Sequence, residues 1–321
     1  MSSLIEQAAL RLEQLRRAGA TVPAATGPQR LPGGGHAATA PEPQAAPQPA
    51  ALSGVVSRHV NLDFTALAAA NILTPNAPRS LLGDQFRVIK RPLLRNAMGK
   101  GASKLANGNL IMITSALAGE GKSFTAVNLA MSIATELDHT VMLVDADVAR
   151  PSVSRMLGLT AESGAGDGSG LLDVLDGRID MASVLLRTNV EKLTVLPSGT
   201  QHARATELLA SEAMTRLLEE LARRYADRII IFDSPPLLLT TEARVLATHM
   251  GQVVVVVQAE RTLQADVQGA LATIESCPVR LLLLNRAQAT AEGGYGYGYG
   301  YGADYGRGPA ADASLVEAPA T

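Results

Sequence analysis

The chain has 321 residues, a formal net charge of −2, 47% hydrophobic residues and one cysteine, Cys277. That length allows one or two domains, and the near-neutral balance argues against a nucleic-acid partner. One cysteine excludes an internal disulfide framework or a cysteine-built metal centre and fits a reducing cytoplasm; no charge-free run of 18 or more apolar residues offers a transmembrane helix.

Residues 1–19 form the first segment. Ser3 and Glu6 have the spacing of a capping box, Ile5, Ala8, Leu12 and Leu15 recur on one face, and Gly19 can end the helix. A lone helix of this length is marginal in water, so it either docks on another surface or frays. Its early acidic residues and broken apolar pattern exclude a secretion signal. Residues 20–79 are expected to be a linker and lead-in, rich in Ala, Pro and Gly and without a period.

Between residues 80 and 288 short apolar runs alternate with helical stretches. The runs are LIMIT (110–114), TVMLVDA (140–146), LTVLPS (193–198), RIIIFDS (228–234), QVVVVVQ (252–258) and RLLLLN (280–285). Uninterrupted, mostly β-branched runs suit parallel strands buried on both faces. SFTAVNLAMSIATEL, EAMTRLLEELARRY and TLQADVQGALATIES lie between them as helices. The pattern predicts an α/β fold, a mostly parallel sheet with helices on both faces.

The first of these strands runs into SALAGEGKSFTAVNLA. Gly121-Lys122-Ser123 stands at the strand-to-helix junction, where backbone N–H groups and a helix N-terminus cradle phosphates. Lys122 is placed to reach the outer phosphates and the Ser123 hydroxyl to bind Mg²⁺. Ala118, Gly119, Glu120, Gly121, Lys122, Ser123 and Phe124 are the expected nucleotide-contacting residues. Ala116 replaces the first glycine of G-x-x-x-x-G-K-[ST], which leaves the loop's first turn open to question. VMLVDADVARP then puts Asp145 and Asp147 at one strand end, and IIIFDSPP puts Asp233 at another. In an open parallel sheet, ligands bind outside the carboxyl ends of the strands, so all three carboxylates are expected to converge on the phosphate loop. Each alone is equally a turn or cap residue.

Residues 289–321 contain GGYGYGYGYGADYGRG, with five of the six tyrosines of a chain that has no tryptophan. Glycine at alternate positions keeps backbone entropy high and supplies nothing to pack, which predicts a flexible tail with exposed hydroxyls. By composition alone it is equally a low-complexity tail without chemistry.

The phosphate loop, Asp145-Ala146-Asp147, Asp233-Ser234-Pro235-Pro236 and the tyrosine tail together resemble the bacterial tyrosine autokinases of exopolysaccharide synthesis, the BY-kinases. The resemblance implies a P-loop NTPase-like fold, ATP and Mg²⁺, and phosphorylation of Tyr295, Tyr297, Tyr299, Tyr301 and Tyr305 between subunits. It implies catalytic roles for Lys122, Asp145, Asp147 and Asp233, with Ser123, Asp145 and Asp233 near the metal. Asp145 or Asp147 would take the tyrosine proton, the two roles being inseparable at this level. Asn285 would touch adenine, or is a turn asparagine. The family's E-x-x-R-x-x-R ring helix is matched by Asp84, Arg87 and Lys90, which read equally as an ordinary charged face. Many members carry arginine where this chain has Ala149; here Arg150 stands next door.

The IKRPLL stretch and separate N-terminal helix resemble the subgroup encoded with exosortase-type (PEP-CTERM) loci. The family's pattern further implies a membrane chain-length-determinant protein (a polysaccharide co-polymerase) as activator, a homo-oligomeric ring, a protein-tyrosine phosphatase, and a cytoplasmic protein held peripherally at the inner membrane. Two other functions fit parts of the sequence. A ParA/MinD-type positioning ATPase shares the fold, but Leu117 stands where that group has a second lysine. A noncatalytic nucleotide-binding scaffold would leave the tail a linker. A nucleic-acid binder stacking bases on tyrosines would need interleaved Arg and Lys, and only Arg307 is near.

Overall fold

The computed structural model describes residues 58–101, 105–160, 163–225 and 227–287. The expected N-terminal helix and the tyrosine-rich tail, Tyr295 to Tyr305, lie outside the described residues. In chain order the strands are β1 (Arg58–Val60), β2 (Leu110–Ser115), β3 (Thr140–Asp145), β4 (Leu186–Thr188), β5 (Leu193–Leu196), β6 (Arg228–Asp233), β7 (Gln252–Gln258) and β8 (Val279–Asn285). The helices are α1 (Phe64–Ala69), α2 (Leu81–Ala97), α3 (Lys122–Ala134), α4 (Val153–Met156), α5 (Leu171–Leu175), α6 (Met181–Val184), α7 (Ala205–Leu209), α8 (Glu212–Arg224), α9 (Glu242–Thr248) and α10 (Gln264–Ala272).

The strands form one sheet in the order β1-β4-β5-β3-β6-β2-β7-β8. Every pairing is parallel except β4 with β5. The two-residue period of a strand explains why the central runs are apolar throughout. Leu110 and Met112 of β2, Met142 and Val144 of β3, Ile230 and Phe232 of β6, and Val253 and Val255 of β7 enter one core. Their alternate neighbours Ile111 and Ile113, Val141 and Leu143, Ile229 and Ile231, and Val254 and Val256 enter the other. Helix α3 is buried almost all round, as the apolar stretch AVNLAMSIA requires.

The folded unit begins earlier than residue 80. β1 pairs with β4, Leu62, Leu67 and Ile72 are buried in the second core, and Asp63 caps α1 through the N–H groups of Thr65 and Ala66. The lead-in gives no sign of this in the sequence, because a three-residue strand and a six-residue helix are too short to show a period. The same shortness hid β4. Among the described residues, no helix is long and apolar enough to cross a membrane.

Candidate active site

Sheet order assembles the site. β3, β6 and β2 are consecutive, and β2 leads into the phosphate loop. Asp145 ends β3 and Asp233 ends β6, and the two are register partners. Ile113 of β2 sits opposite Asp233 on its other side. The N–H of Ala146 donates to Asp233 O at 2.8 Å, and the N–H of Ser234 to Ile113 O at 3.1 Å, so the strand ends are held as one ledge.

The phosphate loop above this ledge is held by its glycines and by Glu120. Gly119 and Gly121 adopt φ of +85° and +96°, a region that costs an L-residue about 1–2 kcal/mol. A Cβ on Gly121 would also lie 2.1 Å from Asn285 Nδ2. Ala116 is fully buried and is not among the positive-φ residues, so alanine replaces the usual glycine without backbone strain. Glu120 is turned inward and buried: its carboxylate accepts from the N–H of Leu117 at 2.7 Å and from the Thr262 hydroxyl. Asn285 Nδ2 donates to Glu120 O at 2.9 Å, and its Oδ1 accepts from the N–H of Arg286 at 2.9 Å. Glu120 and Asn285 therefore brace the loop from behind. Thr262, in the turn after β7, escaped the sequence reading because it is far from the motif in the chain. Ala118 and Gly119 are exposed at the rim, and Ser123 and Phe124 are half-buried where α3 begins.

Lys122 donates to Asp147 Oδ2 at 2.5 Å and lies 3.9 Å from Asp233 Oδ1. Asp147 Oδ1 accepts from the N–H of Arg150 at 3.2 Å. The two aspartates of the D-x-D pair have different surroundings. Asp145 is fully buried, with Oδ2 capping α4 through the N–H groups of Ser152 (3.1 Å) and Val153 (3.0 Å). Asp147 lines a cavity of about 260 Å³, together with Lys122, Arg150, Pro235, Pro236 and Leu239. Asp145 is absent from that lining.

Four buried polar atoms here lack any hydrogen-bond partner: Asp145 Oδ1, Ser152 Oγ and both carboxylate oxygens of Asp233. Burial pushes the Asp145 carboxyl up to about 8, reinforced by the Asp233 charge. Burial likewise raises Asp233 to about 6, partly offset by the Lys122 ammonium. Orphaned carboxylate oxygens beside a serine hydroxyl are the environment that a hydrated hard dication relieves. Among the described residues no group of three or more His, Cys, Asp or Glu could hold a metal unaided, so phosphate and water would complete its shell.

The expected ring contact is not one surface. Asp84 and Arg87 form an exposed ion pair on α2. Lys90 instead shares the inward stripe of Phe86 and Leu93, donating to Ser132 O of α3 at 2.5 Å and pairing with Glu136 at 2.6 Å. Positions 86, 90 and 93 fall on one helix face, and that face is the buried one. Lys90 is therefore a buried tie between α2 and α3.

The ParA family model, described as a NUBPL iron-transfer P-loop NTPase, matches residues 107–284. The tyrosine-protein kinase YwqD of Bacillus subtilis (strain 168) is 32% identical over 212 residues, which are 66% of this chain and 83% of that protein. The tyrosine-protein kinase ptk of Acinetobacter johnsonii is 31% identical over 190 residues, 59% of this chain but only 25% of its own length. The crystal structure of the chimerical protein CapA2B2 matches with a TM-score of 0.55 and 27% identity, covering 70% of this chain and 92% of that one. A phosphate loop laid over paired strand-end aspartates is common to many nucleotide-binding proteins, and these likenesses narrow the choice: the chain belongs to the bacterial tyrosine kinases, on a ParA-like P-loop fold.

Proposed function

We propose that this kinase uses ATP·Mg²⁺ to phosphorylate its own C-terminal tyrosines, Tyr295, Tyr297, Tyr299, Tyr301 and Tyr305, between subunits, and thereby controls the chain length and export of an exopolysaccharide. The observation that carries the reading is the placement of Asp147. It shares a tyrosine-sized cavity with Lys122 at the mouth of the phosphate loop, while Asp145 stays behind it. Magnesium, when bound, would neutralise phosphate charge as the phosphoryl group is transferred. The Ser123 hydroxyl and the unpartnered oxygens of Asp233 and Asp145 suit it, directly or through water.

The chain's own groups do the positioning. Backbone N–H groups from Gly119 to Ser123 receive phosphate oxygens at the start of α3. Phosphate competes with Asp147 for the Lys122 ammonium. The freed Oδ2 of Asp147 then accepts the proton of the incoming tyrosine hydroxyl. Asp147 rather than Asp145 takes that role because it faces the cavity. Pro235 and Pro236 give the tyrosine ring an apolar wall.

The rest of the reading rests on the family's pattern. A membrane chain-length-determinant protein activates the kinase at the cytoplasmic side of the membrane, a phosphatase resets it, and the subunits form a ring in which Asp84 and Arg87 take part. Each phosphotyrosine adds about −1.5 to −2 charges, so five would repel one another and loosen the ring.

The test is phosphotyrosine mapping by mass spectrometry after incubation with ATP·Mg²⁺. Wild type, Lys122→Met and a chain ending at residue 288 are compared, with and without the cytoplasmic segment of a candidate membrane partner. Label on Tyr295 to Tyr305 in wild type alone supports the reading. ATP binding without label under every condition overturns it.

A further inference from the structure

Arg150 is the cation this site has not yet used. It lines the 260 Å³ cavity with Lys122 and Asp147, and its side chain is exposed there. Lys122 is already countered by Asp147 at 2.5 Å and Asp233 at 3.9 Å. Arg150 makes no side-chain hydrogen bond or ion pair among the described residues. Its backbone is nevertheless fixed. The N–H donates to Asp147 O at 3.1 Å, closing a turn over residues 147–150, and to the Asp147 carboxylate at 3.2 Å. Pro151 follows and disfavours the helical region for Arg150. A free guanidinium is thus carried on the same short turn as the proposed proton acceptor.

We propose that Arg150 binds the phosphoryl group in flight, as an arginine supplied from within the same chain. The inference rests on the kinase reading above and names a further residue for its transfer step. In that step the tyrosine oxygen forms a bond to the γ-phosphorus, the bridging bond to ADP breaks, and the hydroxyl proton passes to Asp147. Arg150 stays protonated throughout. Its planar fork suits two equatorial phosphoryl oxygens, which gather charge as the bridging bond lengthens. Ala149 lines the same cavity, so the chain offers two adjacent positions from which an arginine can enter it.

The experiment measures initial autophosphorylation rates and ATP affinity of the full chain. Wild type is compared with Arg150→Gln, Arg150→Lys and the double variant Ala149→Arg/Arg150→Gln. Loss of one charged donor acting in the transition state predicts a rate about 100-fold lower in Arg150→Gln. ATP affinity should stay within about threefold, because the ground state is held elsewhere. Arg150→Lys should recover only part of the rate, since an ammonium cannot grip two oxygens. The double variant should recover at least about tenfold if a guanidinium in this cavity is what matters. Wild-type rates in Arg150→Gln overturn the inference and leave the kinase reading intact. A parallel loss of ATP affinity, or no recovery in the double variant, also overturns it by showing a binding or structural role. No label in wild type, with the cytoplasmic segment of the membrane partner present as well as without it, overturns both.

Discussion

Replacing Asp233 with asparagine should stabilise the nucleotide-free protein above pH 6. Asp233 is fully buried between β3 and β2, neither carboxylate oxygen has a hydrogen-bond partner, and its nearest cation is 3.9 Å away and already paired. Burial therefore lifts its carboxyl from 3.8 to about 6. At about 1.4 kcal/mol per pH unit, the ionised group costs the fold about 3 kcal/mol. The sign follows from proton counting. Between pH 4 and pH 6 the folded state holds a proton that the unfolded state has lost, so stability falls as pH rises through that window and stays low above it.

Asparagine removes the charge but buries an amide with few partners, which returns about 1–2 kcal/mol of the gain. The net effect is about 1–2 kcal/mol, or a Tm about 3–6 °C higher for a domain of this size. Thermal unfolding of wild type and Asp233→Asn at pH 4 and pH 8, without nucleotide, reads it directly. The variant should lie about 1 kcal/mol below wild type at pH 4, where only the amide cost remains, and above wild type at pH 8. Added ATP·Mg²⁺ should stabilise wild type more than the variant, because only wild type gains relief of a buried charge. A variant less stable than wild type at pH 8, or a difference independent of pH, would refute the argument.

Other substitutions probe separate parts of the fold. Gly121→Ala meets both the left-handed backbone and the Asn285 amide, so it should lower stability by about 2 kcal/mol or more and weaken nucleotide binding. Adding Asn285→Ala should restore only part, as it removes the contact but leaves the backbone strain; full recovery in a urea titration would argue against that strain. Lys90→Met should cost about 1 kcal/mol in urea unfolding, since Ser132 O loses its ammonium donor but keeps the Thr135 hydroxyl, while Glu136 can turn to water. Arg87→Gln, on the exposed face of the same helix, should change stability by less than about 0.5 kcal/mol. Equal effects at positions 87 and 90 would contradict the inward placement of Lys90. Thr262→Val should lower ATP affinity several-fold in a direct binding titration while leaving the fold intact, because the Glu120 brace loses one of its two donors.

The sequence by itself determined the parts of this protein whose physics is local. A phosphate loop is a strand, a few glycines and a helix start within about a dozen residues, and LIMITSALAGEGKSF states all of them. Strands buried on both faces announce themselves by largely apolar runs, because both faces pack into a core. The Asp145, Asp147 and Asp233 cluster was legible as well, since Asp145 and Asp233 end such runs and Asp147 follows two residues after one.

What only the tertiary structure decided depends on neighbours distant in the chain. β1 and β4 are three residues each and exist because they pair with each other and, for β4, with β5. The separation of Asp145 from Asp147 follows from α4 packing its N-terminus onto one carboxylate and leaving the other at the cavity. Glu120 lies inside the best motif in the sequence, yet it faces away from the nucleotide side because Thr262, 142 residues later, meets it there. Lys90 belongs to the expected spacing of charges, but helix rotation is set by the apolar stripe that must be buried, and Phe86 and Leu93 carried Lys90 inward with them. A motif fixes which groups are available. The direction each one faces is settled by whichever buried surface costs most to expose.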